Sequence, residues 1–258
     1  MIIGGAEETE GECQILREFV RRAGGHRARI VVLPAASSIP EEVGEEYVEI
    51  FQRLGAERVQ VVDTREPNDG NRLDSIQTIA HATGIFFTGG DQARIVRSMR
   101  DTILADAIHK RYAEGAIIGG TSAGAAVMPE KMIVGGESDR NPRIDIVDMG
   151  PGLGFLLGAV VDQHFTQRGR LGRLLSAMLL EPRVLGLGID ENTAIIVSGD
   201  KFEVIGEGAV TVVDESGITH NNMDRVLSDE AVAVFGIQLH ILPQGYRFNL
   251  STRQPIAP

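Results

Sequence analysis

Apolar positions along this chain follow two alternating rhythms. Apolar runs at residues 29–33, 84–88 and 116–118 read as strands covered on both faces, and 59–62, which carries Gln60 inside it, reads as a further strand. Between them the apolar positions recur at helical spacing. Ile15, Leu16, Phe19 and Val20 predict a helix over about 11–23, and Ser38-Ile39-Pro40-Glu41 opens a second one running to Leu54 with a cap, a proline and acidic first-turn residues. Residues 75–82 read as a third helix, and Ile95, Met99, Ile103, Leu104 and Ile108 carry one long helix over 92–114. Met1-Ile2-Ile3 reads as a strand cut close to Met1 and running into the Gly4-Gly5 turn. Strand–helix alternation of this kind predicts a mainly parallel sheet with helices on both faces, whose ligand site lies beyond the strands' carboxyl ends.

The pattern then changes. Residues 132–151 are rich in glycine and charge without a period, which predicts a long irregular loop. An apolar strand ends at 160–165, and Leu171, Leu174, Leu175, Met178 and Leu179 mark an amphipathic helix after it. Apolar stretches at 186–190, 194–197, 202–205, 210–213 and 232–242, separated by Gly, Asp and Ser turns, predict antiparallel strands toward the carboxyl terminus. No repeat or low-complexity linker divides the 258 residues, so the expectation is a single α/β domain, 1–258.

Composition narrows the functions. A formal charge of −11 argues against nucleic-acid binding, which needs a basic face. One cysteine, Cys13, excludes disulfides and thiolate metal sites and reads as a small core residue of the first helix. No signal-like start and no apolar run of membrane length are present, so the expected compartment is the cytoplasm and no membrane partner is expected.

The candidate chemistry centres on Ala116–Met128. An apolar strand ends in Gly120-Thr121-Ser122-Ala123-Gly124 and small helix-forming residues follow, the strand–turn–helix context of a nucleophile elbow. Ser122 at its tip needs a base. Of the six histidines, His26, His81 and His109 lie on or beside outer helices, and His220 and His240 sit in the tail strands; His164 follows an apolar strand, at a carboxyl end like Ser122. Glu191 is the preferred acid to orient it, with Asp190 beside it and Glu137 as the alternate. The amide of Ala123 and one from the Gly89-Gly90 turn, at Gly90, form the expected oxyanion hole. Arg168, Arg170 and Arg173 read either as a solvated helix face or as carboxylate-binding guanidinium groups, with Asp162, Gln163 and Gln92 as complementary groups; replacing Arg170 and Arg173 is expected to weaken binding of acidic substrates more than stability.

These segments resemble the serine-peptidase family of the cyanophycinases and, more distantly, the α-aspartyl dipeptidases. The resemblance is carried by Ile3-Gly4-Gly5-Ala6-Glu7, Phe87 to Gln92, Gly119 to Ala125, Asp162-Gln163-His164-Phe165 with Arg168-Gly169-Arg170-Leu171-Gly172-Arg173, and Gly188 to Thr193. It implies a class I glutamine amidotransferase-like (flavodoxin-like) fold, a homodimer, no metal or cofactor, and a Ser122–His164–Glu191 triad, Glu137 matching an acidic position proposed in the dipeptidase branch. The implied reaction cuts cyanophycin, a poly-aspartate backbone with arginine on each side-chain carboxyl, into β-aspartyl-arginine dipeptides. In that reading Arg168, Arg170 and Arg173 meet substrate carboxylates, while Asp162, Gln163 and Gln92 meet its guanidinium. The alternatives are a dipeptidase for aspartyl or isoaspartyl peptides and a non-catalytic peptide-binding protein.

Overall fold

The four strands expected in the first half of the chain lie side by side in parallel, as the strand–helix alternation predicts. The computed structural model describes residues 1–258, and contacts divide the chain into two compact units: Met1–Ile2 with Glu7–Ala125, and Ile3–Ala6 with Ala126–Pro258. The two-residue strand β1 (Ile2–Ile3) falls at the division.

In the first unit β2 (Arg29–Leu33), β3 (Arg58–Val61), β4 (Gly84–Phe87) and β5 (Ile117–Thr121) are ordered β5-β4-β2-β3, with Val31 in register with both Gln60 and Ile85, and Ile85 with Ile118. β4 is buried throughout, whereas the outer strand β3 is half exposed, and its Arg-Val-Gln-Val alternation follows from that. Helices α1 (Gln14–Arg22) and α2 (Pro40–Arg53) cover one side. They bring Phe19, Tyr47 and Phe51 onto Phe86, with ring centroids 5.0 to 5.9 Å apart. A Cβ at Gly119 of β5 would lie 2.6 Å from the Phe19 ring, so this glycine makes room for the aromatic cluster. Removing one such ring costs about 3–5 kcal/mol.

Three sequence expectations change here. Cys13 is buried but stands just outside α1, at its amino-terminal cap, in left-handed backbone (φ 46°). α2 is capped by Ile39 rather than by Ser38, the Ile39 amide donating to Ser37 Oγ at 3.0 Å. The stretch 92–114 is two helices after α3 (Leu73–Ala80): α4 (Gln92–Met99) and α5 (Ile103–Ala113). Asp101 takes φ 61°, and Thr102 Oγ1 accepts from the Ala105 amide at 3.3 Å, starting a fresh helix where the apolar period runs on.

α6 (Ala123–Ala126) is a single turn. In the second unit the predicted irregular loop is a bulged antiparallel hairpin, β6 (Lys131–Gly136) with β7 (Val147–Pro151). Beyond it β8 (Ala159–Gln163) precedes α7 (Leu171–Leu180), β9 (Leu185–Ile189), β10 (Thr193–Ser198), β11 (Lys201–Gly206) and β12 (Ala209–Asp214). β13 (His220–Asn221) pairs β14 (Val234–Phe235), and β15 (Gln238–Pro243), β16 (Arg247–Asn249) and β17 (Gln254–Ile256) complete the chain. The predicted run 232–242 is interrupted at Gly236, whose φ of 84° ends β14. Pairing is antiparallel in β17-β16-β11-β10 and β15-β12-β9, but β9 is parallel to β8, with Val213, Leu174, Met178, Val160 and Phe165 in one apolar cluster. No helix is long and apolar enough to cross a membrane.

Candidate active site

The elbow is built where β5 runs out. Ser122 has φ 52°, a left-handed conformation that costs a non-glycine residue about 1–2 kcal/mol and turns the chain sharply. Ala125 N donates to Ser122 O at 3.0 Å, closing the single turn of α6. The expected helix is thus too short for a macrodipole, and what it offers an oxyanion is the amide groups of its first turn, beginning with Ala123. A Cβ on Gly124 would meet Phe87 O at 2.3 Å, so only glycine lets the turn sit against the end of β4.

Beside the serine runs the Gly89-Gly90 turn. A Cβ on Gly89 would lie 3.5 Å from Ser122 Cβ and 3.9 Å from Oγ, and Gly90, at φ 138°, packs so close that its Cβ would meet Ala36 O at 2.2 Å. Bare backbone therefore adjoins the hydroxyl. Asp91 then caps α4 by accepting from Ala93 N at 2.8 Å, leaving Gln92 half-buried in its first turn.

One acid at this elbow escaped the sequence reading. Glu7 is 7% exposed; Oε1 accepts from the Tyr47 hydroxyl at 2.6 Å and Oε2 from Thr121 Oγ1 at 2.5 Å. Burial, followed by the charge of Glu7, pushes the Tyr47 phenol well above its usual range, so it stays a donor. Glu7 thus fixes the residue that precedes Ser122. In the sequence it reads as a turn acid, and only its place two residues after Gly5, in Gly4-Gly5-Ala6-Glu7, sets it apart.

In the second unit His164 follows β8 directly, again in left-handed backbone (φ 47°). Its Nδ1 lies 2.6 Å from Glu191 Oε1, in the turn between β9 and β10. Burial lowers the imidazole pKa; the Glu191 bond raises it again, and Arg168 and Arg170 lower it further, so the ring is neutral at neutral pH. Asp190 faces elsewhere, accepting from Thr166 N at 3.1 Å, Thr166 Oγ1 at 2.6 Å and Ala209 N at 3.1 Å, which ties down the turn after His164. Glu137 is half exposed and paired with Arg140 at 3.2 Å and Arg143 at 3.5 Å rather than with the imidazole. Gly4 and Gly5 hold both loops: Gly4 O accepts from His164 N at 2.8 Å, and Gly5 O from Asn192 N at 2.9 Å. A Cβ on Gly5 would stand 2.4 Å from the imidazole.

The arginines are inside. Arg170, Arg173 and Asp162 are 7%, 5% and 1% exposed, which removes the reading of a solvated helix face. Arg173 grips Asp162 with two donors, Nε at 2.9 Å and Nη2, while Arg170 Nη1 reaches Asp162 at 3.4 Å and both oxygens of Gln163, the carbonyl at 2.6 Å and Oε1 at 2.8 Å. Asp162 and Gln163, expected to meet a substrate cation, accept from the chain's own guanidinium groups. Two arginines against one carboxylate leave one net positive charge in this cluster, beside His164. Burial brings the Arg170 pKa down to about 10, and its Nε is buried without a partner. Arg168 is exposed. No group of three His, Cys, Asp or Glu side chains is placed to hold a metal ion.

These features have relatives. Residues 1–205 match the model of peptidase family S51. The chain is 42% identical over 259 residues to a protein named cyanophycinase from Geminocystis herdmanii, covering all of this chain and 95% of that one. It is 42% identical over 255 residues to the cyanophycinase of Trichormus variabilis, covering 98% and 86%. A crystal structure of a peptidase from an acI-B1 actinobacterium has the same fold, with TM-score 0.69 and 19% identity over 99% of this chain and 95% of that one. A histidine bonded to a glutamate, a serine on a strained turn, the family match over residues 1–205 and 42% identity over the whole chain to a protein named cyanophycinase agree: the chain is a peptidase, a member of peptidase family S51.

Proposed function

We propose that this protein is a serine exopeptidase that hydrolyses cyanophycin, multi-L-arginyl-poly-L-aspartate, to β-aspartyl-arginine dipeptides. The observation that carries this reading is the 42% identity, over the whole chain, to proteins named cyanophycinase. Ser122 is the nucleophile. Its hydroxyl attacks an aspartyl carbonyl as His164 Nε2 takes the proton, and Glu191 on Nδ1 holds the ring in the tautomer whose Nε2 is free to accept. The amides of Ala123 and Gly90 receive the oxyanion. Collapse breaks the peptide bond, the leaving amine takes the proton back from His164, and water then releases the acyl group by the same relay.

The arginine cluster reads the substrate's carboxylates. Its net positive charge and the unpartnered Nε of Arg170 support that role, with Arg168 at the exposed end, while Asp162 and Gln163 preset the guanidinium groups and Gln92 contributes an amide. We assign the fold to the class I glutamine amidotransferase-like group, on the parallel order β5-β4-β2-β3 with the serine at a strand's carboxyl end. A single domain acting as a cytoplasmic homodimer completes the reading. The test is release of dipeptide from the insoluble polymer: the wild type releases it, and Ser122→Ala, folded by circular dichroism, does not.

A further inference from the structure

A polar cleft opens in the first unit, at the ends of the parallel strands opposite Ser122. Ser122 and Gly89-Gly90 follow the carboxyl ends of β5 and β4; Arg29 and Arg58 begin β2 and β3. The cleft, about 590 Å³, lies between the β2–β3 face and α3, and is lined by Arg29, Arg58 and Gln60 on one wall and Asp74, Gln77 and His81 on the other. Arg29 and Arg58 are register partners, so both project to one face of the sheet with Gln60. Val61 projects to the opposite face, where a Cβ on Gly44 of α2 would touch it at 3.0 Å. The arginines therefore point away from α2 and into the cleft.

Their pairing is incomplete. Arg29 reaches only Glu57, at 3.7 Å with both side chains half exposed, and Arg58 and His81 make no ion pair or side-chain hydrogen bond. The one carboxylate in the wall, Asp74, is bound by Arg72 at 2.9 Å. Two adjacent guanidinium groups, one without a counter-ion, are unusual on a surface carrying −11 overall. The amides of Gln60 and Gln77 add donors and acceptors without charge.

We infer that this cleft is a non-catalytic anchoring site for a further repeat of the polymer. The inference rests on the reading that cyanophycin is the substrate. Each repeat presents the free α-carboxylate and the guanidinium of an arginine joined through its amine to an aspartyl side chain. Arg58 and Arg29 take the carboxylate, and the carbonyl oxygens of Gln60 and Gln77 take the guanidinium. An exopeptidase working on an insoluble chain gains residence on the particle from such a second contact, because the linked site sees the polymer at high effective concentration.

The experiment compares wild type, Arg29→Ala/Arg58→Ala and a charge control, Arg97→Ala/Arg100→Ala, in the full chain. Co-sedimentation with insoluble cyanophycin is read in the Ser122→Ala background, and hydrolysis is read in the Ser122 background on the insoluble polymer and on a soluble oligomer of a few repeats. The cleft variant is expected to lose about tenfold in polymer affinity and to need about tenfold more polymer for half-maximal rate, with kcat/KM on the soluble oligomer within about twofold of wild type. The control is expected to match wild type. A cleft variant that sediments and cuts polymer like wild type overturns the anchoring site while leaving the activity standing; equal losses in the control overturn it too. Wild-type protein that cuts neither substrate overturns the substrate reading, and the anchoring site with it.

Discussion

His164 Nδ1 and Glu191 Oε1 stand 2.6 Å apart, although 27 residues and a helix separate them in the chain. With the Nδ1 proton directed to the carboxylate, Nε2 is left as the acceptor, which is the tautomer a general base requires. Glu191→Gln keeps the shape and removes the charge. It is expected to lower kcat by about a thousandfold or more with little change in KM, measured as dipeptide release. Glu137→Gln, at a half-exposed residue paired with Arg140 and Arg143, is expected to stay within about twofold.

The pH dependence follows from the same ring. Burial holds the His164 pKa below 6.5, and the working form is neutral, so activity persists at pH values below 6.5 and falls as the pH drops through the lowered pKa. Arg168 opposes protonation of the ring. Arg168→Ala therefore makes protonation easier and is expected to move the acidic limb of kcat/KM to higher pH, whereas Glu191→Gln, which removes a charge favouring protonation, moves it lower. A limb that shifts the other way in Arg168→Ala contradicts this electrostatic account.

Much of this was legible in the sequence, for identifiable reasons. Ser122 and His164 both directly follow buried apolar strands, and such strands announce where their carboxyl ends lie. Three features were not legible. The hairpin of β6 and β7 is built from glycine and charged residues and carries a bulge, so it lacks the alternation that marks a strand. The break between α4 and α5 leaves the apolar period running on, and only the Thr102 cap reveals it. The roles of Glu7 and Asp162 depend on partners 114 and 11 residues away, and spacing alone assigns neither.

The link from Glu7 to Thr121 sets up a test of elbow positioning. Thr121→Val removes a donor to a buried carboxylate and is expected to cost about 1–3 kcal/mol in thermal or denaturant unfolding. It is also expected to lower kcat about tenfold with KM nearly unchanged, because the hydroxyl of Ser122 loses its fixed position. Thr121→Ser, which keeps the donor, should restore most of both. A stability loss with unchanged kcat would make Glu7 a purely structural residue.

The buried arginine cluster reverses one sequence expectation. Arg173→Ala leaves Asp162, 1% exposed, without its two-donor partner, and the expected result is a stability loss of about 3–5 kcal/mol rather than a selective effect on binding. Arg170→Lys keeps charge but not the fork or Nε. It is expected to raise KM for the polymer about tenfold while unfolding near the wild-type midpoint.

The account stands or falls on whether Ser122 is a nucleophile activated by His164. The most direct measurement is labelling by a serine-reactive fluorophosphonate, with the adduct mapped by mass spectrometry and its rate followed in wild type and His164→Ala. The account predicts a single adduct on the peptide containing Ser122, formed at least about a hundredfold more slowly without the imidazole. An adduct on another residue, or equal rates in the two proteins, would contradict it.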